Sequence, residues 1–447
     1  MREEKWLNRY AGKSLCLKYT PGVQASFPFY TEVISIQISI HGAGREVGRS
    51  AFLIDDKILL DYGIKPSDPP EYPLGDVRPE VVVVSHGHLD HCGVVPNLMD
   101  MEPKVIATPP TKQLTRLLAE DTMEIAESSH ALVPFDPADM RQLMRLTREM
   151  EYLDAYEHNS HTITLFDAGH IPGSSLVYVE NGEKSLLYTG DIKNTDTRLL
   201  RGSKVHYPEA DALMIESTYF GKDHPDRQKL EEKFIESIRY TLDIGGNVVI
   251  PSFAIGRTQE ILLILKEYRI PSYVDGMGRE VTDIFLKEPE YLRDPGRLRS
   301  AYGYSTTVKG SMRKSLMDEP CVVVTTAGML NGGPVLSYLK KIYDNPKNKV
   351  MLTGYQVENT NGRTALTTGT MDLDGEIVKL RCQLEQYSFS AHSGDSELKA
   401  IVKHMVDRGT TDVFCVHGDR TEEFAAWVKQ EYDVNAYAPK IGDEYII

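Results

Sequence analysis

Apolar and polar residues alternate strictly through Ile34-Ser35-Ile36-Gln37-Ile38-Ser39-Ile40, which predicts a half-buried strand. Ala51–Ile54 and Lys57–Leu60 predict a hairpin that ends at Asp61. The unbroken run Val81–Val84 predicts a strand buried on both faces. Thr111–Glu127 carries apolar residues at 114, 117, 118 and 125, the spacing of a helix face. Asp136-Pro137 reads as an N-cap followed by proline at the first helical position, with Met140, Leu143 and Met144 continuing that helix. Strand patterns return at Ile163–Phe166, Ser175–Val179, Ser185–Tyr188 and Ala212–Ile215.

From about Pro225 the texture changes. Strand-like runs near 248–250, 272–274, 321–324 and 350–352 alternate with helical patterns, one over Gln228–Leu242 and another after Gly256. Such alternation predicts a parallel α/β sheet with crossover helices. The tail then reads like the first part: a strand at Glu376–Leu380, a helix at Glu397–Met405 and a strand at Thr411–Val416. Asp419 and Glu422 are expected to cap the last helix as N-cap and N3. The expected division is an N-terminal extension 1–31, a first part 32–219, an inserted domain 220–362, and a return of the first domain at 363–447. Gly42-Ala43-Gly44-Arg45-Glu46-Val47-Gly48 lacks the third glycine of a dinucleotide loop and reads as a glycine turn between strands.

Composition narrows the classes. A chain of 447 residues exceeds one ordinary core, and 41% hydrophobic with 26% charged residues is a globular balance. A net charge of -15 argues against a generally basic, nucleic-acid-coating surface but leaves room for a local basic groove. Cys16, Cys92, Cys321, Cys382 and Cys415 are odd in number and widely spaced, which predicts reduced thiols in a cytoplasmic protein. No apolar run reaches the roughly 18 residues of a membrane span, so no membrane role is expected.

The candidate chemistry sits where strands end. His86, His88, Asp90 and His91 follow directly on the valine run, and imidazole with carboxylate suits zinc. His170 and Asp191 each fall in a glycine-flanked loop at a strand terminus, and His417 follows the last apolar strand. Seven candidate ligands are too many for one four-coordinate ion and suit two, roughly 3.5–4 Å apart, with Asp191 as the best bridging carboxylate. Asp61 is a candidate partner for a ligand histidine or a turn residue. Glu216 and His392 lie in loops that can meet the site, where a Glu–His pair keeps an imidazole protonated.

These residues resemble the successive motifs of the metallo-β-lactamase superfamily: Asp61, His86-Gly87-His88-Leu89-Asp90-His91, His170 and Asp191. Glu216, His392 and His417 resemble the additional motifs of its β-CASP branch of nucleic-acid hydrolases, and 252–259, 274–278, 326–330 and 354–356 are similar to further β-CASP segments. Within the branch, 42–49 resembles the cleavage-and-polyadenylation-factor group more than RNase J. The resemblance implies a four-layer αββα lactamase domain, an α/β fold, with an inserted parallel β-CASP domain capping it. It implies two zinc ions, one held by His86, His88 and His170, the other by Asp90, His91 and His417, with Asp191 between them. Asp90 and Asp191 would then serve catalysis, His392 would meet the scissile phosphate with Glu216 behind it, and Asp61 would orient a ligand histidine. The expected activity is hydrolysis of single-stranded RNA, by endonuclease or 5′→3′ exonuclease action. The chain departs from longer archaeal relatives in showing no KH domains.

Phosphate contacts on an acidic protein must be focused. Ser252, Arg257, Lys309, Arg313, Lys314 and Arg363 are candidate RNA contacts, with Tyr355 as a base-stacking residue and Thr306–Ser315 as the best-ranked loop. Arg45 and Arg49 are further loop cations of the same kind. Single-stranded RNA is the expected partner, with a second copy or other RNA-processing proteins as further candidates. The alternatives are a small-ester or thioester hydrolase, which would not require the long insertion, and a catalytically silent RNA-binding scaffold, which would be expected to lack ligands.

Overall fold

The alternating stretch forms the strand Gln37–Ile40, the outer partner of a hairpin Phe52–Ile54/Ile58–Leu60. A computed structural model describes residues 35–447 apart from 68, 130–131 and 204–206. The expected extension 1–31, with Cys16, lies outside the described residues, as does Ile34. Next to the hairpin come Val81–Val83, Lys104–Ala107 and Thr147–Glu149, all in parallel, while Glu444–Ile446 closes the other edge. The result is a seven-stranded sheet.

A second seven-stranded sheet runs from Asn435–Tyr437 through Asp412–Val416, Ala212–Glu216, Ser185–Tyr188, Ser175–Glu180 and His161–Asp167 to Ala155–His158. The two sheets share one core. Ile38, Ile40, Phe52, Val81 and Val83 pack there with Leu165, Val177, Tyr188, Met214 and Phe414. Val82 and Val84 point the other way, into the core under the helices Pro109–Ser129 and Pro137–Leu146. A strand buried on both faces is why this run lacks polar alternation. On the far side, Asp395–Val406 and Thr421–Glu431 cover the second sheet with Leu398, Ile401, Phe424 and Val428. The layers are therefore helix, sheet, sheet, helix. Asp136 caps its helix as expected, accepting from the Ala138 and Asp139 amides.

The third sheet has six strands, ordered Thr306–Thr307, Tyr273–Asp275, Val322–Thr325, Val248–Pro251, Lys349–Leu352, Gln383–Gln386, and every pairing is parallel. The expected strand forms at Glu376–Lys379, but it pairs with Thr370–Leu373 in a small ribbon, and Gln383–Gln386 joins the third sheet beside Lys349–Leu352. The chain thus still contributes to the third sheet at Gln386, past the expected return at 363. Gln-Leu-Glu-Gln is an edge strand, wet on one side, so its sequence carries no apolar signal. The expected Asp419–Glu422 cap is corrected: the final helix has Arg420 at its N-cap, and a guanidinium has no acceptor for a helix amide, while Glu422 pairs with Arg45.

Parallel strands place the chemistry. Ser185–Tyr188, Ala212–Glu216 and Asp412–Val416 run side by side in one direction, so Asp191, Glu216 and His417 emerge at the same end. Ile58–Leu60 and Val81–Val83 do likewise for Asp61 and the His86–His91 segment. That segment turns at once into the short helix Leu89–Cys92. Gly63 lets the helix lie against the hairpin, since a Cβ there would stand 1.8 Å from the Asp90 carbonyl oxygen.

Candidate metal centre and active site

Four ligand atoms converge first. His86 Nε2 lies 3.1 Å from His88 Nδ1, which lies 3.2 Å from His170 Nε2. Asp191 Oδ2 is 3.4 Å from His86 Nε2 and 3.6 Å from His170 Nε2. A tetrahedron with bonds of about 2.0–2.1 Å has ligand-to-ligand edges of about 3.3 Å. A second set meets beside it: His417 Nε2 is 3.2 Å from Asp90 Oδ2, and His91 Nε2 is 3.3 Å from Asp191 Oδ1. The two oxygens of Asp191 thus face different groups.

The donors are aimed by what lies behind them. Asp61 accepts from His91 Nδ1 at 2.7 Å, from Tyr188 Oη at 2.8 Å and from the Ser85 amide at 2.6 Å. Ser85 Oγ donates to Asp61 at 2.7 Å and accepts from His86 Nδ1 at 3.1 Å. His170 Nδ1 donates to the Ala391 carbonyl at 2.8 Å. His86 and His170 therefore carry their proton on Nδ1 and turn the Nε2 lone pair inward, and the Asp61 bond at Nδ1 aims His91 Nε2 the same way, as metal ligation requires. Thr218 Oγ1 sits 3.3 Å from His417 Nδ1.

The electrostatics fit a cation. Burial lowers His86 and His170 and brings His88 down to about 3, leaving neutral imidazoles. Burial acts the same way on His91 and His417, but Asp191 and the carboxylates around them outweigh it and raise both. Burial works against ionisation of Asp90 and Asp191 too, yet the surrounding histidines hold both carboxyls low. His91 Nε2 and Asp191 Oδ1 are buried and 3.3 Å apart, yet neither has a hydrogen-bond partner. Orphaned buried polar atoms of this kind are costly unless something binds them. The donor set, its spacing and these two orphans fit metal.

A third group borders the first two. Glu216, fully buried, accepts from the Ile192 amide at 2.8 Å and pairs with His392 Nδ1 at 3.0 Å. His392 Nε2 lies 3.9 Å from Asp191 Oδ2. Burial disfavours its charge, but Glu216 and then Asp191 push it up to about 10. All seven expected ligands, with Asp61, Glu216 and His392, are thus brought together.

The expected RNA contacts divide. Arg257 Nε and Nη1 are buried without partners, and burial, then Arg227, pull the guanidinium down to about 10. Its neighbour Gly256 abuts Ile171, next to His170. Tyr355 is 56% exposed and stands within electrostatic reach of Asp419, Arg363 and Tyr219. Arg363 pairs with Glu358 at 2.8 Å while its Nε has no partner. Lys309 and Lys314 are exposed, at the outer edge of the third sheet. Ser252 and Arg313 are corrected. Ser252 is fully buried, its hydroxyl 3.3 Å from Thr353 Oγ1, and Arg313 is held by the buried Asp275 at 2.6 and 2.9 Å. Arg45 and Arg49 are likewise occupied, by Glu422 and Glu46. Ser85, Tyr188, Thr218 and His224 also contact the cluster's residues, and in the sequence only their positions beside strand ends mark them.

Fold and site together define a metallo-hydrolase of the αββα type. Residues 44–220 match the metallo-beta-lactamase superfamily, 258–364 the Beta-Casp domain, and 377–439 a Zn-dependent metallo-hydrolase RNA specificity domain. The chain belongs to the β-CASP branch of the metallo-β-lactamase superfamily. It is 38% identical to "Probable RNase MJ4" of Methanocaldococcus jannaschii over 92% of this chain and 99% of the relative. It is 37% identical to "RNase aCSPSF2" of Saccharolobus solfataricus over 91% of this chain and 84% of the relative. With "Transcription termination factor FttA" of Pyrococcus horikoshii the identity is 30%, over 90% of this chain and 70% of the relative. A solved structure of an Enterococcus faecalis protein of unknown function covers 93% of this chain and 100% of its own, with a TM-score of 0.58 at 12% identity, a likeness of fold. Among the described residues no helix is long and apolar enough to cross a membrane.

Proposed function

We propose that this protein is a two-zinc ribonuclease that hydrolyses phosphodiester bonds of single-stranded RNA. The observation that carries the reading is the Glu216–His392 pair, 3.0 Å across, standing 3.9 Å from the Asp191 carboxylate that faces both ligand groups. Hydrolysis of a phosphodiester has to protonate a leaving oxygen, and a cationic imidazole beside the ligand cluster is the group to do so. The RNase names of two relatives and the RNA specificity domain support the same substrate.

His86, His88 and His170 would hold one zinc, and Asp90, His91 and His417 the other, with Asp191 shared. Bound zinc supplies Lewis acidity, which acidifies water and offsets charge building on the phosphate. The chain's own residues do the rest. Asp61 and Ser85 fix ring orientation. His392 delivers a proton from Nε2 while Glu216 keeps Nδ1 protonated. Arg257, whose Nε and Nη1 lack partners, sets positive charge behind the path of a backbone phosphate, and Tyr355 offers an exposed ring on which a base stacks. Lys309, Lys314 and Arg363 add electrostatic attraction along the strand.

The test uses labelled linear and circular single-stranded RNA with the zinc-loaded protein, alongside His86→Ala. Zinc-dependent cleavage absent from the variant is expected. Cutting of the circle assigns endonuclease action, and release of mononucleotides from 5′-monophosphate RNA assigns 5′→3′ exonuclease action. No cleavage of any RNA, or equal cleavage by the variant, would refute the reading. Calibrated sedimentation of the same sample reports whether two copies associate.

A further inference from the structure

The segment that carries His392 is tied at two consecutive carbonyls by two imidazoles. The Ala391 oxygen accepts from His170 Nδ1 at 2.8 Å, and the His392 oxygen accepts from His224 Nε2 at 3.0 Å. A carbonyl only accepts, so His224 must carry its proton on Nε2. Burial, with Lys193 close by, holds this imidazole down to about 4, so it is the neutral tautomer at neutral pH. His224 sits in the turn that follows strand Ala212–Glu216, where the chain leaves for the inserted sheet. Other contacts lock that turn to the same segment. Asp223 Oδ1 accepts from the amide and hydroxyl of Ser396 at 2.9 Å each, and Asp395 accepts from the Gly221 amide at 2.8 Å. A Cβ at Gly394 would meet Asp223 Oδ1 at 3.0 Å and His224 Cδ2 at 3.4 Å, so the two segments touch without slack. Tyr219 completes the wall, its ring 4.5 Å from that of His224 and 5.9 Å from that of His392.

We propose that His224 is a positioning residue for the reaction: its Nε2–H bond to the His392 carbonyl sets where the His392 ring stands relative to Glu216 and Asp191. It touches neither the ligand cluster nor Glu216. It acts through the backbone of the residue that delivers the proton. The His170 bond fixes one end of this peptide to the ligand cluster, and His224 fixes the other end to the entry of the inserted domain. The same peptide unit is also held at its amide, where Ser393 N–H donates to the Ile192 carbonyl at 2.7 Å. With the His224 bond gone, that amide bond is left to hold the unit, which can tilt about it, and a displacement of about 1 Å at a reacting group costs on the order of a hundredfold in rate.

The inference rests on the ribonuclease reading for its kinetic arm but not for its structural arm. Zinc-loaded full-length protein carrying His224→Leu or His224→Gln is compared with wild type. Measured are kcat and KM on single-stranded RNA, zinc content, and amide hydrogen exchange across residues 388–396. His224→Leu is expected to lower kcat about tenfold or more with KM within about twofold. It should also speed exchange at residues 390–394 and keep full zinc. The glutamine amide nitrogen reaches the same carbonyl, so His224→Gln should restore most of kcat and the slow exchange. Wild-type kcat in the leucine variant, equal loss in both variants, unaltered exchange, or zinc loss as the source of the defect would each overturn the proposal. If the wild-type protein cleaves no RNA, the exchange arm alone decides the latch while the ribonuclease reading falls.

Discussion

His392 keeps its proton against its surroundings. Burial alone would strip it, and the Glu216 carboxylate reverses that tendency, lifting the imidazole to about 10. The sign follows: the protonated form persists through neutral pH and is lost as pH rises through the raised value. A cleavage step that uses this proton should therefore hold its rate on the alkaline side until that region. In Glu216→Gln the alkaline limb should fall by on the order of one unit or more while zinc content stays level, read from kcat against pH. An unmoved limb would show that another group supplies the proton. The ligands were legible from residues alone because histidines and carboxylates clustered at strand ends have few other uses. Ser252 and Arg313 were misread for a physical reason. A serine or a cation shows its job only through its partner, and Asp275 lies 38 positions from Arg313.

Elements were legible where one face is buried and one wet, or where both are buried. The valine run, the Asp136-capped helix and the parallel alternation of the inserted sheet all emerged as expected. Edges were not. Gln383–Gln386 takes its place by backbone pairing with Lys349–Leu352, which leaves no mark on side-chain pattern. The loop 306–315 illustrates the same limit, since Arg313 is held by Asp275 while Lys309 and Lys314 have no ion-pair partner among the described residues. Asp275 is fully buried and pairs with Arg313 and with Tyr338 Oη at 2.7 Å. Arg313→Ala should thus destabilise the fold by about 2 kcal/mol in denaturant unfolding, with KM for RNA nearly unaltered. Lys314→Ala should do the opposite, leaving stability within about 0.5 kcal/mol and raising KM. The assignment of Lys314 to RNA fails if both variants alter stability alone.

At the scale of the whole molecule, a net charge of -15 and a polyanionic substrate repel at long range. In the proposed reading, binding comes from a few focused cations: Arg257, Lys309, Lys314 and Arg363. Each phosphate neutralised on a single strand contributes about -0.7 to the slope of log affinity against log salt, so a total near -3 is expected. Titrations between low and moderate salt measure it, and a slope far steeper would mean a broader basic track than these four cations form. The site's seven candidate ligands are spread from His86 to His417, 331 positions apart and on both sides of the inserted sheet. No partial chain that stops short of His417 holds both groups. Aborted translation products, and fragments released by proteolysis in the insertion, would accordingly be inert toward RNA. That dependence on completeness ties the assembled site to a finished chain.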